Sequence, residues 1–352
     1  MNNADLTTSN ALLAAALALM LATCVGILTA PIRSYALRAG LVEAPGIRSS
    51  HAQPTPIGGG LAFVVPITVA WFITAILSDD DALLAIACSG LALACIGFED
   101  DRRRLPPMLR LSAQFVAAVA VCFIALHLPD GSGGDAAVVR VLAVLAIAWS
   151  SNLFNFMDGL DGLATTESLF VAMGGLAVSI LTGAGSATIV AMAALAGGLG
   201  GFLPWNAPKA RIFMGDAGST WLGFVLASLA LLEAGRQPGV LQAWLIFPAL
   251  FVTDATVCLC RRGLRGENVI EAHRAHAYQN LSRILGSHAK VVAIFALGNL
   301  CLVPAAWACI KFPAMAWWVT GATYAVLAVI AVAARSGVHG VADPVPDRAS
   351  RS

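Results

Sequence analysis

The sequence predicts an all-α protein that crosses a membrane about eleven times, and three observations carry that reading. Of its 352 residues, 59% are hydrophobic and only 12% are charged, about half the charge of ordinary soluble domains. Mean hydropathy is +0.81. Apolar runs close to the roughly 20 residues needed to cross a bilayer recur from residue 11 to residue 334. A soluble core could not absorb this much apolar surface, because chains of this length usually divide into domains with charged surfaces.

In chain order the runs predict spans at 11–32, 57–77, 82–98, 111–128, 138–152, 165–182, 187–203, 219–234, 239–260, 290–310 and 313–334, bounded by charge, Gly or Pro. The first has no basic residue before Arg33 and is long enough to span, which fits a helix better than a cleaved leader. Gly197, Gly198, Gly200 and Gly201 in the seventh predict close helix packing. The eight cysteines fall within or at the ends of apolar runs, which argues against disulfides and zinc. A net charge of +1 with no basic stripe argues against nucleic acid as a partner.

Eleven spans put the termini on opposite sides, and basic residues choose which. With the N-terminus periplasmic and the C-terminus cytoplasmic, inner segments hold 18 of the 21 Lys and Arg, and only Arg140, Arg236 and Lys311 lie outside. The expected organisation is one transmembrane catalytic domain over 1–335, with cytoplasmic active-site loops at 33–56, 99–110, 152–164, 204–218 and 261–289. A cytoplasmic tail, 336–352, follows.

Five polar segments fall on that one face. Gly46–Gly60 reads GIRSSHAQPTPIGGG, where prolines hold the chain extended and three glycines permit close approach after Arg48 and His51. A rigid turn into the second helix is the competing reading. Glu99, Asp100 and Asp101 follow the third span; adjacent acids repel and need a cation, supplied either by Arg102–Arg104 or by Mg²⁺ with substrate phosphates. Asn152, Asn155, Asp158 and Asp161 recur every three residues, with Gly159 and Gly162 suggesting a broken helix. Acids this near apolar helices are costly enough to imply use. Asp216 sits between Gly215 and Gly218-Ser219 at a helix start, a setting for a metal-bound phosphate or an N-cap. His273, Arg274 and His276 lie in the longest inner loop, where binding of pyrophosphate is more economical than a zinc pair. No P-loop or dinucleotide fingerprint occurs.

Together these segments resemble the polyprenyl-phosphate N-acetylhexosamine-1-phosphate transferases, which include the phospho-MurNAc-pentapeptide translocase. The resemblance covers about residues 46–290, in the order His51 with PTPIGGG, Asp100-Asp101, NFMDGLDGLA and FMGDAGS. It implies transfer of a sugar 1-phosphate from a UDP-linked amino sugar to undecaprenyl phosphate, with release of UMP, Mg²⁺ as cofactor, and residence in the bacterial inner membrane. Residue by residue, it implies Asp216 as the Mg²⁺ ligand and Asp100 and Asp101 as the catalytic pair. Asn155, Asp158, Gly159 and Asp161 resemble the surround of the nucleotide and pyrophosphate, Asp158 and Asp161 counted among the catalytic acids. Asn206 and Phe213 then lie near the uracil, and His51, His273, Arg274 and His276 bind substrate.

The chain departs from the peptidoglycan branch where that branch has three consecutive histidines and this one reads AHRAHAYQ, and it lacks that branch's lysine after the early His. RRGLRGENVIEAHRAHAYQNL looks more like the enzymes that initiate O-antigen, and so lipopolysaccharide, from UDP-N-acetylfucosamine or UDP-N-acetylquinovosamine. A GlcNAc-1-phosphate or phospho-MurNAc-pentapeptide transferase is the alternative within the family, and an ion-coupled transporter the alternative outside it. A homodimer is compatible with the sequence.

Overall fold

In the computed structural model, residues 3–43, 54–125, 133–268 and 274–338 are described. Helix α1 (Asn3–Arg38) leads into a two-residue pairing of β1 (Val42–Glu43) with β2 (Thr55–Pro56), antiparallel, with Val42 opposite Pro56. Then come α2 (Leu61–Ser78), α3 (Asp81–Arg103), α4 (Pro107–Ala125), α5 (Gly133–Met157), α6 (Leu163–Leu181), α7 (Ser186–Asn206) and α8 (Gly215–Ala234). The chain continues through α9 (Val240–Ile246), α10 (Ala249–Leu264), α11 (Ala277–Leu285), α12 (His288–Lys311), a short 3₁₀ turn and α13 (Ala316–Ala333). Among the described residues ten helices are long and apolar enough to cross a bilayer, and α9 with α10 makes an eleventh span when counted as one. This is an all-α, multi-pass membrane protein.

The ninth predicted span, 239–260, is not one straight helix: α9 and α10 meet at 65° across Phe247-Pro248. Phe247 still has helical dihedrals, and the break falls at Pro248, which has no N–H to continue the ladder and leaves helical geometry itself. The bend turns α10 out of line with α9, and α10 carries Asp254 against the start of α11.

Helices α7 and α8 are the most buried spans, while α1 and α13 turn most of their surface outward. Side-chain size explains the difference. A Cβ on Gly197 or Gly201 would run into the α1 backbone at Ala18 or Ala22, and one on Gly223 of α8 would run into Ser150 of α5. Backbones can therefore approach closely, which in a bilayer supplies the packing that water would otherwise drive. Trp71 and Trp221 stack inside this core at 5.6 Å, and the indole N–H of Trp71 donates to the carbonyl of Ala191.

Candidate active site

A cleft of about 810 Å³ opens at one end of the bundle. Asp100 and Asp101 reach it from the end of α3, Asn155, Asp158, Gly159 and Asp161 from the break between α5 and α6, and Phe213 and Asp216 from the approach to α8. Local sequence places each. Helix α5 stops at Met157, and α6 restarts after Gly162, whose φ of +73° suits a residue without Cβ. At Gly159 a Cβ would collide with the Tyr278 hydroxyl, so the broken segment lies flat against α11.

The acids are not equivalent. Asp101 accepts the backbone N–H groups of Asp216 (2.8 Å) and Ala217 (3.4 Å), so it caps α8 at its positive end. Asp100 accepts Leu105 N–H at 2.5 Å and is bonded by Arg110 at 2.6 Å. The same guanidinium nitrogen donates to Asp216 at 3.0 Å, and Asn155 donates to the other Asp216 oxygen at 2.7 Å. Asp161 accepts Ala210 N–H at 3.1 Å and lies 3.2 Å from Nδ1 of His288. Asp158 receives no hydrogen bond from any described side chain or backbone group; burial, then the charges of Asp216, Glu43 and Asp161, push its carboxyl up to about 8.

That donor set suits a hard divalent cation bound through one or two carboxylates, with phosphates completing the shell. Among the described residues no three of His, Cys, Asp and Glu converge tightly enough to hold an ion unaided, an arrangement compatible with a metal brought in with its phosphates.

Three predicted substrate residues do not reach the cleft, and two lie outside the described residues. Asn206 is buried, its amide accepting from Thr165 Oγ1 at 2.6 Å and donating to the carbonyl of Ile212 at 3.1 Å, so it fastens α6 and α7 to the following loop instead of facing a base. Arg274 and His276 are not among the residues that line the cleft, and His276 is buried. His276 is the N-cap of α11 in a capping box with Gln279 and stacks on Tyr278 at 5.5 Å. Burial, and next the charge of Arg262, hold its imidazole neutral, with the pKa pushed down to about 3. A neutral, 1% exposed ring is poorly suited to pyrophosphate. His51 and His273 are not among the described residues.

Asp254, 3% exposed, accepts the N–H groups of Ala277 (2.7 Å) and Tyr278 (3.1 Å) and the hydroxyl of Ser336 (2.7 Å). Tyr278 in turn donates to the carbonyl of Phe156 at 2.9 Å. Arg261 bonds the carbonyl of Ser336 at 2.6 Å, Gly337 N–H bonds Ala275 at 2.6 Å, and Asn280 bonds Arg335 and Val338. Residues 336–338, the first of the expected cytoplasmic tail, are thus part of a clasp over α10 and α11. Sequence reasoning missed Arg110, Asp254, Tyr278, His288 and Ser336. Arg110 and His288 each stand at the polar edge of an apolar run, the one available signal.

A family model described as glycosyl transferase family 4 matches residues 83–234. The decaprenyl-phosphate N-acetylglucosaminephosphotransferase of Mycobacterium tuberculosis (strain H37Rv) is 32% identical over 305 residues, covering 76% of this chain and 76% of its own. A probable undecaprenyl-phosphate N-acetylglucosaminyl 1-phosphate transferase of Bacillus subtilis is 28% identical over 289 residues, 77% of this chain and 78% of its own. The phospho-N-acetylmuramoyl-pentapeptide-transferase of Heliobacterium modesticaldum is 35% identical over 199 residues, 51% of this chain and 60% of its own.

Proposed function

Because this chain belongs to glycosyl transferase family 4, we propose that it transfers the 1-phosphate of an N-acetylated amino sugar from a UDP-sugar to undecaprenyl phosphate, releasing UMP. The observation that carries the reading is the gathering of Asp100, Asp158, Asp161 and Asp216 with Arg110 in one cleft at a polar end of an apolar bundle. Such a place is open to a water-soluble nucleotide and within reach of a lipid headgroup. The 18 basic residues assigned to the inner segments support a cytosolic cleft in a bacterial inner membrane.

The net bond change is simple. An oxygen of the lipid phosphate becomes bonded to the sugar-bearing phosphorus, and the bond from that phosphorus to the bridging oxygen breaks. The bridging oxygen leaves with UMP. Phosphate monoesters have a second pKa of about 6, so the acceptor is largely ionised at neutral pH and needs positioning more than deprotonation. Asp216, with Asp158 and Asp100 beside it, would hold Mg²⁺, which when bound offsets the charge of the phosphoryl groups. Arg110 orients Asp100 and Asp216 toward one another, Asn155 fixes the Asp216 carboxylate, and Asp101 holds the α8 terminus that carries it.

The names of the relatives point to N-acetylglucosamine as the sugar, and the loop 261–279 to a 6-deoxy amino sugar of the type that starts O-antigen. Purified protein in lipid nanodiscs, given undecaprenyl phosphate, Mg²⁺ and a panel of UDP-sugars covering both, should release UMP with at least one. No UMP from any of them would sink the reading, and dependence on added Mg²⁺ after chelation tests the metal.

A further inference from the structure

Among the described residues the cleft carries few positive charges for the substrates it is asked to hold. Six carboxylates line it, from Glu43, Asp100, Asp101, Asp158, Asp161 and Asp216, against Arg104, Arg110 and His288. Arg110 is engaged by Asp100 and Asp216. Arg104 is exposed at the rim, in a left-handed conformation that ends α3. His276, which by sequence looked suited to pyrophosphate, is buried and neutral and does not line the cleft. The one imidazole on the wall among the described residues is His288.

His288 is the first residue of α12, and its side chain is partly exposed to the cleft. Its Nδ1 lies 3.2 Å from Asp161 Oδ1, while Asp161 Oδ2 takes the backbone N–H of Ala210. One carboxylate is thereby tied to two other segments of the chain, and the ring it holds cannot swing away without breaking that tie. A carboxylate on one imidazole nitrogen sets the tautomer and aims the other nitrogen. An imidazolium has two N–H donors, enough to serve Asp161 and a phosphate oxygen together.

We propose that His288, oriented by Asp161, is a binding residue for a substrate phosphate, either the diphosphate of the nucleotide donor or the headgroup of the lipid acceptor. The inference rests on the reaction proposed above. It replaces His276 as the histidine that meets phosphate and gives Asp161 the task of presenting it.

The test compares wild type with His288→Ala by calorimetric titration of UDP and of uridine, and by the KM for undecaprenyl phosphate in the UMP-release assay. A charge-assisted hydrogen bond lost from the donor site should weaken UDP about ten- to a hundredfold and leave uridine unchanged. A rise of that size in the KM for the lipid phosphate, with UDP unchanged, would instead assign His288 to the acceptor. Unchanged values for both phosphates would overturn the proposal. So would parallel loss of UDP and uridine, which marks collapse of the wall and not loss of a phosphate contact. Should His288→Ala fail to fold, His288→Gln keeps an N–H for Asp161 without the charge and carries the same comparison. Wild-type protein that releases no UMP would sink the reaction and this inference together; active wild type with an unaffected His288 variant sinks the inference alone.

Discussion

In the cleft, Asp158 stands near Asp161, Asp216 and Glu43 with no hydrogen-bond donor among the described residues, and its carboxyl is pushed up to about 8. A short distance behind it, Asp254 is more deeply buried and yet takes two backbone N–H groups and a hydroxyl. Both are aspartates at the polar end of the same bundle. The difference lies in what surrounds them: one carboxylate is left short of donors and open to a cation or a ligand, and the other is saturated and shut. The first arrangement costs stability and can bind something; the second fastens α11 and the segment after α13 in place.

Substitutions in the two regions should therefore fail in different ways. The largest effect is expected from Asp216→Asn, which keeps an acceptor for only one of the two donors, Asn155 and Arg110, that bond the separate Asp216 oxygens and gives a metal one weak neutral oxygen; UMP release should fall by about a hundred- to a thousandfold, a loss out of proportion to the accompanying drop in melting temperature in detergent. An active Asp216→Asn protein would erase the distinction on the cleft side. Asp254→Ala should do the reverse, leaving the N–H groups of Ala277 and Tyr278 without their acceptor and the Ser336 hydroxyl with only the backbone carbonyl of residue 254. A loss of roughly 2–4 kcal/mol should appear as a lower melting temperature, and activity at low temperature should fall less than in Asp216→Asn.

A smaller effect separates the regions by pH. A carboxyl raised in the folded protein is protonated there while its unfolded counterpart is ionised. Stability is therefore lost as pH rises from about 4, the ordinary value, to about 8, the folded value, and the penalty is complete above that. Asp158→Asn removes the penalty, so its melting temperature should gain on wild type progressively from pH 5 to pH 8.5. A constant gap across that range would show that Asp158 is not held protonated. The smallest effect is expected at His276, where Asn can also cap a helix: His276→Asn should change stability by less than about 1 kcal/mol and leave UDP affinity as it was.

The spans were legible because a bilayer sets their length, and the acids were legible because charge near apolar helices has to be accounted for. The bend at Phe247-Pro248 had a signal in Pro248, which a continuous hydropathy window passes over. What could not be read were partnerships across long separations. Arg110 meets Asp216 from 106 positions away, Asp101 caps α8 from 115, and Asp254 finds Ser336 at 82. His276 misled for a related reason: its spacing from His273 suggested a ligand pair, whereas the site it occupies is decided by burial against Tyr278 and by Arg262. No residue adjacent to it in sequence reports that.

The fastening of residues 336–338 onto α10 and α11 has a consequence for how the protein is made. A ribosome delivers the acids of the cleft first, Asp100 early and Asp216 before α9 to α13 are made, but Ser336 only after α13 has been threaded into the bilayer. Until then Asp254 lacks one of its three donors and α11 lacks its cover. The nascent chain thus holds the cleft's carboxylates against an unfinished wall, and completion of the wall waits on the final span.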